Sequence, residues 1–457
     1  MWKTWGWGLS VVLAVSLFGL PMRAEAQSLE QVVQEMKKEM EDLRARVHDL
    51  EQRNQELASR VQAEEIRGAS LSAEVAALPV SPPPGNSSLK EEVIALKTKF
   101  PAELYGQIRL DAAYDDSEVN EGNYARWVES EDILDDDDQL NLTARQSRFG
   151  IDFKGPSDDW LKTSAKIEID FFEGGGENKN RIQMRHAYLK LDWPQCDFSL
   201  LAGQTWDVVA PLNPSTLNYS VQWWAGNIGY RIPQLRLTKG FTMPAGTRME
   251  VQVAAVRDLG HTAFTSDIVD SGEDSGLPGV EGRVGISVPT WCKDKKAQFG
   301  ISGLWERLEL PIEDHTDHCK HTSWVAALDL SLPLTERLGF QAEAFRGQDL
   351  DTVLGGVGQG INMDTMEEIR GKGGWMQLSY GPVRKTTFNM GVGVDDPEDQ
   401  DLPAGGRTKN TAYWGNVQYD LNEAVSMGLE LSHWKTEYLD QPDGDALRLQ
   451  TSFIYKF

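Results

Sequence analysis

The chain ends in Phe457, and the residues leading up to it alternate. Leu447, Leu449, Thr451, Phe453, Tyr455 and Phe457 share one face of a strand; Arg448, Gln450, Ser452 and Lys456 share the other, with Ile454 as the one apolar intruder. Successive strand side chains point to opposite faces. Such a segment suits a wall with lipid on one side and water on the other, as in an outer-membrane β-barrel. An edge strand of a soluble sandwich carries the same pattern, so repetition along the chain has to decide between them.

The pattern does repeat. Leu104, Gly106, Ile108, Leu110 and Ala112 alternate with Tyr105, Gln107, Arg109 and Asp111, and Leu161, Thr163, Ala165, Ile167 and Ile169 alternate with Lys162, Ser164, Lys166, Glu168 and Asp170. Further rows run through Met249–Ala255, Val280–Val288, Phe388–Val394 and Val425–Leu431. The spacing predicts strands at 104–115, 144–154, 161–172, 181–192, 198–205, 231–240, 247–258, 280–290, 297–308, 322–332, 337–347, 373–381, 385–394, 410–420, 425–437 and 446–457. That is an even number, sixteen, as expected of a bacterial barrel with both ends on the periplasmic side. Short turns such as Gly155–Asp158 and Leu421–Glu423 alternate with long connections at 116–143, 206–230, 259–279, 348–372 and 395–409. Short periplasmic turns and long external loops are the barrel's asymmetry; sandwiches and propellers do not produce it so regularly.

Composition agrees. A mean hydropathy of −0.43 looks soluble, but only alternate strand residues of a barrel meet lipid. Fifteen Trp suit two interfacial aromatic belts. A net charge of −25 argues against a nucleic-acid partner. The three cysteines are far apart and odd in number, so disulfides are not the scaffold. Lys3, the apolar run Leu9–Leu20, Pro21 and Ala24-Glu25-Ala26 make residues 1–26 a secretory signal peptide, too short to span a membrane.

Residues 27–78 carry heptads. Leu29, Met36, Leu43, Leu50 and Leu57 hold one core position; Val33, Met40, Val47, Asn54 and Val61 hold the other. Strict register over several heptads predicts an α-helical coiled coil, here a periplasmic stalk. Asn54 fixes register, and Glu64 and Gly68 at the next core positions loosen the coil. Residues 79–101 form a linker around Pro82-Pro83-Pro84 and a short amphipathic helix stopped by Pro101. The barrel occupies 102–457. The expected fold is an all-β transmembrane barrel of 16 antiparallel strands with an N-terminal α-helical coiled-coil stalk.

The signal peptide, heptads, Pro-rich linker, opening strand Leu104-Tyr105-Gly106-Gln107-Ile108-Arg109-Leu110-Asp111 and second-strand segment Arg145-Gln146-Ser147-Arg148-Phe149-Gly150 together resemble the DcaP-like trimeric porins of the Gram-negative outer membrane. The resemblance covers nearly the whole mature chain. It implies a homotrimer, a periplasmic stalk, a C-terminal aromatic read by the barrel-assembly machinery, and uptake of small anions such as dicarboxylates through an Arg-rich narrowing. Trimerisation conflicts with the core residues of the coil, which lean towards two strands; a large barrel interface would dominate a short stalk.

A pore's chemistry is its width and the charges that line it. Strand parity places Arg109, Arg148, Lys166, Arg236, Arg248, Arg283 and Arg448 on the water side, beside Asp111, Asp152, Glu168, Asp170, Glu250, Glu281, Glu343 and Glu430. Arginine's planar fork suits carboxylates, while mixed signs also suit salt bridges between neighbouring strands. The connection Asp207–Tyr230, whose only acid is Asp207, carries Trp223 and Trp224 and is expected either to narrow the pore or to pack on a rim. The acidic loop after the first strand, with Asp115, Asp116, Glu118, Glu121 and Asp135–Asp138, reads as a solvated charge run, with divalent bridging to lipopolysaccharide as the alternative. His315, His318, Cys319 and His321 form a weak metal-like cluster with no structural-zinc spacing. No catalytic motif is present and no cofactor is implied, so the chain is not expected to be an enzyme. A passive solute channel is the leading reading. A barrel whose stalk tethers the outer membrane to peptidoglycan or another periplasmic partner competes with it.

Overall fold

The structure, a computed structural model, describes residues 100–457 apart from 132–136, 173, 175–176, 178, 258–274 and 312–317. The signal peptide, the coiled coil and almost all of the linker lie outside the described residues. The description that follows concerns the unit Ala95–Phe457.

Sixteen antiparallel strands close on themselves. They are β1 (Ala102–Asp115), β2 (Gln139–Thr143 and Arg148–Ser157), β3 (Lys162–Asp170), β4 (Gln183–Trp193), β5 (Phe198–Trp206), β6 (Arg231–Thr242), β7 (Arg248–Val256) and β8 (Gly279–Pro289). Then come β9 (Lys296–Pro311), β10 (His318–Pro333), β11 (Leu338–Gln348), β12 (Arg370–Val383), β13 (Thr386–Pro397), β14 (Arg407–Asp420), β15 (Val425–Tyr438) and β16 (Gly444–Lys456). The two pieces of β2 both pair with β1, so seventeen hydrogen-bonded segments make sixteen barrel strands. Closure comes from β1 and β16, where Gln107 faces Lys456 and Asp115 faces Arg448. Phe457 completes the seam by exchanging backbone bonds with Gly106.

The outward rows are the alternating apolar residues of the sequence. Leu104, Ile108 and Leu110 on β1, Met427, Leu429 and Leu431 on β15, and Leu447, Leu449, Phe453 and Tyr455 on β16 are all exposed. An apolar girdle with every strand paired is what a hydrocarbon layer requires, since no backbone group is left for water to satisfy. An aromatic row marks the end with the short turns, where Tyr380, Phe388, Tyr419 and Tyr455 are exposed.

Two places break the alternation. Ala144–Ser147 leave the ladder inside β2, and the Ser147 hydroxyl takes over by accepting from the Arg109 N–H at 3.1 Å. The expected strand 144–154 therefore begins as a separate piece at Gln139, and Arg145 turns inward. In β4 a bulge opposite Glu168 and Ile169 inserts Arg185, so that His186 pairs with Glu168 and Met184 with Ile169. An extra residue re-aims the side chains around it. Arg185, at the bulge, contacts both Glu168 and Asp170, and His186 reaches Thr205 of β5 at 3.0 Å.

The barrel's interior holds loops packed as a core. Val209, Ala210 and Ile228 from the 207–230 connection and Leu350 and Val353 from the 349–369 connection pack against Ile232, Ala254, Leu304, Val325 and Phe345 of the wall. The connection after β1 joins them: Val119 and Val128 pair in a bridge, and Ala125 and Val128 are fully buried against Ala412, Trp434 and Ala446. This corrects the expectation of a wholly solvated acidic loop. Its apolar residues gain by filling the barrel, while among the described acids Asp116, Glu121, Glu131, Asp137 and Asp138 stay exposed.

Candidate functional site

The 207–230 connection is a track laid along the inner wall. Its neck closes where the Asp207 N–H donates to the Tyr230 carbonyl and the Tyr230 N–H donates to Asp207 Oδ2, both at 2.9 Å. From there the backbone meets one strand after another. The N–H of Val208 donates to Glu281 of β8 at 3.1 Å, that of Ala210 to Ser302 of β9 at 3.2 Å and that of Leu212 to Glu343 of β11 at 2.8 Å. Ser215 donates to Gln377 of β12 and its carbonyl accepts from Asn416 of β14, both at 2.7 Å. Leu217 donates to Glu430 of β15 at 2.8 Å. The Leu217 carbonyl accepts from Arg109 of β1 at 2.7 Å and Gln450 of β16 at 3.0 Å. Ten residues reach at most about 33 Å, enough to sweep half the barrel. Ala210 turns the chain at φ +44°, and beyond it Pro214 favours an extended path, since the residue before a proline avoids the helical region. Burial, and then the nearby Glu281, hold the Asp207 carboxyl well above the usual carboxylate range.

The return half is an aromatic knot. Trp223 and Trp224 are buried with Tyr124, Trp127, Leu354 and Val357, while Phe172, Trp206, Tyr219 and Tyr230 pack around them. Phe172 and Tyr219 stack with ring centres 3.8 Å apart. Arginines cap the rings: Arg231 lies 4.6 Å from the Tyr230 ring and 4.8 Å from that of Trp206, and Arg407 lies 4.2 Å from that of Trp127. Asn218 docks the first loop onto the knot through reciprocal bonds with the Ala125 backbone at 3.0 and 3.1 Å. Gly226, at φ +104°, passes so close to Gly374 that a side chain would collide with its carbonyl. Val221 and Trp224 hold positive φ without being glycine, a cost of about 1–3 kcal/mol each that persists only where packing over-determines the backbone.

With the β8–β16 wall covered by loops, the less covered polar groups lie on β1–β7. Glu168 is the hub: it accepts from Tyr105 Oη and from Arg185 Nε, both at 2.7 Å, with Arg148 Nε at 3.4 Å. Arg185 also holds Asp170 at 2.6 Å. Lys166 pairs with Asp152 at 3.1 Å and donates to Tyr105 at 3.1 Å. The arrangement couples each inward carboxylate to one or more cations and leaves the Arg148 side chain 31% exposed.

The expected lining residues take different places. Arg109 forks onto Asp111 at 2.8 Å and holds the loop through Leu217. Arg236 donates to Gln234 at 2.7 Å and to the Trp206 carbonyl. Arg248 pairs with Asp197 beside a short turn at 2.5 and 2.8 Å, and Arg283 pairs with Asp329 at 2.7 Å. Lys190, Arg236 and Arg248 line a cavity of about 270 Å³ with Asp192, Asp197 and Glu250. Arg448 is placed otherwise. It and Asp115 are both 0% exposed, and the guanidinium donates to the Gly122 and Asn123 carbonyls beneath the first loop, shielded from water. Trp223 and Trp224 are buried in the knot, so their rings hold the loop in shape and do not face the lumen.

Strand parity missed Arg145, Arg185, His186 and Arg231. A strict period of two cannot register a bulge or a ladder break; the pair Arg185-His186, polar on consecutive residues, was the one signal. In the metal-like cluster, His315 lies outside the described residues and the His318 side chain is not described. Cys319 is half-buried, and His321 is buried 3.9 Å from Glu368. Among the described residues no group of three or more potential ligands is assembled.

Comparison with known proteins places this geometry. The model of the DcaP outer membrane protein family matches residues 30–229, which shows the resemblance read from the sequence. No curated protein matches. Among solved structures, the outer membrane channel DcaP of Acinetobacter baumannii superposes with a TM-score of 0.63 at 20% identity, covering 78% of this chain and 97% of that one. An anion-selective porin from Comamonas acidovorans superposes with a TM-score of 0.51 at 11% identity, over 78% and 99%. At these identities the likeness is one of fold: a closed sixteen-stranded barrel of the outer-membrane type, in the company of channels.

Proposed function

We propose that this DcaP-like outer-membrane barrel is a porin for small hydrophilic solutes and that it favours organic anions of the dicarboxylate type. One observation carries the reading: on the β1–β7 side, Arg148, Lys166, Arg185 and His186 gather around Glu168 and Asp170, and the 207–230 loop beside them has its single acid buried. A carboxylate passing this wall meets donors preorganised in pairs. Arg109, Arg236 and Arg248 extend the cationic face along its length. The neighbouring acids, already tied to arginine or lysine, offer cations little in return.

Reversal potentials across a planar bilayer under a salt gradient test the reading. Anion preference, strengthened by malonate- or succinate-like competitors that reduce chloride current, is expected; a clear cation preference ends it.

We further infer that export removes residues 1–26, that the barrels assemble as a homotrimer, and that residues 27–78 stand in the periplasm as a coiled coil. The heptads of Leu and Val and the family resemblance support this. A tether to peptidoglycan or another periplasmic partner is the second role such a stalk suits. Removing 27–78 separates the two: envelope leakage with intact conductance supports a tether, and unchanged envelope integrity argues against it.

A further inference from the structure

On the lipid-facing side, cations gather at the ends of the strands that meet the long loops, and most of them sit opposite an acid. Lys320 of β10 faces Glu309 of β9, Lys409 of β14 faces Glu437 of β15, and Lys435 of β15 faces Asp445 of β16. Arg346 breaks the rule. Its partners across the two ladders are Ala326 of β10 and Lys372 of β12. Like charges directly opposite each other destabilise a sheet. The acids nearby relieve this only partly: Lys372 reaches Asp396 at 3.3 Å, but Glu398 stays 3.8 Å from both cations. The side chains remain 68% and 52% exposed.

Immediately towards the membrane the same strands turn apolar. Ala344 faces Gly374, Ala342 faces Met376, and Leu328 and Leu378 flank them. These are small or slender groups between larger ones, directly below two exposed cations. An acyl chain fits along such a surface while its phosphate sits at the level of the cations. Free phosphate would use the cations alone and have no use for the apolar face beneath.

We propose that Arg346 and Lys372 seat the phosphate of a lipid from the external leaflet, with one of its acyl chains lying over Ala342, Ala344 and Gly374. The Arg fork takes two phosphate oxygens and the Lys ammonium a third, which converts the repulsion of the pair into a shared attraction. Clustered basic groups at the membrane surface recognise anionic headgroups by this route. Arg370, one row further out, is held by Asp401 through two bonds of 2.8 Å and walls the seat without taking part. The inference rests on the outer-membrane location and is independent of what the lumen conducts.

Native mass spectrometry of the full-length protein, stripped of lipid in detergent and titrated with bis-phosphorylated lipid A or with its phosphate-free form, tests it. We expect at least tenfold weaker binding of the phosphorylated lipid to Arg346→Gln/Lys372→Gln, and wild-type binding to Lys320→Gln/Lys435→Gln. Folding of each variant is checked by heat-dependent mobility; should the double variant not fold, Lys372→Met alone serves, with a loss of at least threefold expected. Equal affinity of the variant and wild type overturns the proposal. So does equal binding of the phosphate-free lipid, complete displacement by millimolar inorganic phosphate, or occupation of this face by a second barrel in lipid-free protein. A barrel that conducts as proposed yet shows no phosphate preference defeats this inference alone.

Discussion

Arg448 of the last strand and Asp115 of the first face each other in the ladder and bond at 2.9 and 3.0 Å, with neither side chain exposed. The pair rivets the seam that closes the barrel and carries the first loop on its outer nitrogens.

Removing one partner of a buried pair strands the other charge. Arg448→Ala is expected to cost roughly 3–5 kcal/mol, read as a lower urea midpoint in detergent or lipid. Replacing both residues by leucine is expected to recover much of that, since the stranded carboxylate goes too. Equal loss in the single and double variants would contradict this account.

The inner track is moored by carboxylates. Glu430 accepts from the Leu217 N–H at 2.8 Å, from Thr216 at 2.6 Å and from Asn416 at 2.9 Å. Glu430→Ala is expected to free the far end of the track at a cost of about 1–3 kcal/mol per orphaned donor. Single-channel traces should then show larger and noisier conductance. Glu430→Gln, which keeps one acceptor, should show a smaller change.

Arg185 exists in the lumen because of a bulge, and it neutralises two acids at once, Glu168 at 2.7 Å and Asp170 at 2.6 Å. Arg185→Ala is expected to lower the anion-to-cation permeability ratio by about twofold or more, as the released acids turn the local field. Arg185→Lys should restore part of it. A ratio that does not move would remove this residue from the selectivity argument.

Asp207 titrates against the fold. Burial first, and Glu281 second, raise its carboxyl well above its ordinary value of 3.8. A raised pKa in the folded state means that the contribution is fully present below the unfolded value and is lost as pH climbs through the folded one. The neck of the track should therefore weaken between about pH 4 and the raised pKa, seen as a falling thermal midpoint and rising channel noise. Asp207→Asn keeps an acceptor for Tyr230 and should flatten that slope.

Much of the wall was legible in advance. Leu447 to Phe457 and Leu104 to Ala112 declare their faces by period alone, because the bilayer accepts only apolar groups on one side. Turns such as Leu421–Glu423 declared which end was which. The interior was not legible. The path from Val208 to Leu217 is set by hydrogen-bond partners on eight strands distant in sequence, and no local pattern records that Glu281, Glu343 and Glu430 await backbone donors. Arg448 misled because parity tells which side a residue faces and says nothing of what covers it. Arg185 and Arg145 were hidden by a bulge and a ladder break, which shift the period by one residue.

The moorings of the inner track recognise main chain: Val208, Ala210, Leu212, Ser215 and Leu217 are gripped by their amides. An amide is the same whichever residue bears it, proline excepted. The inner track is therefore open to redesign at its exposed positions without cutting its anchors, and on the proposed porin reading new solutes could be admitted by exchanging side chains on a frame whose shape does not depend on them.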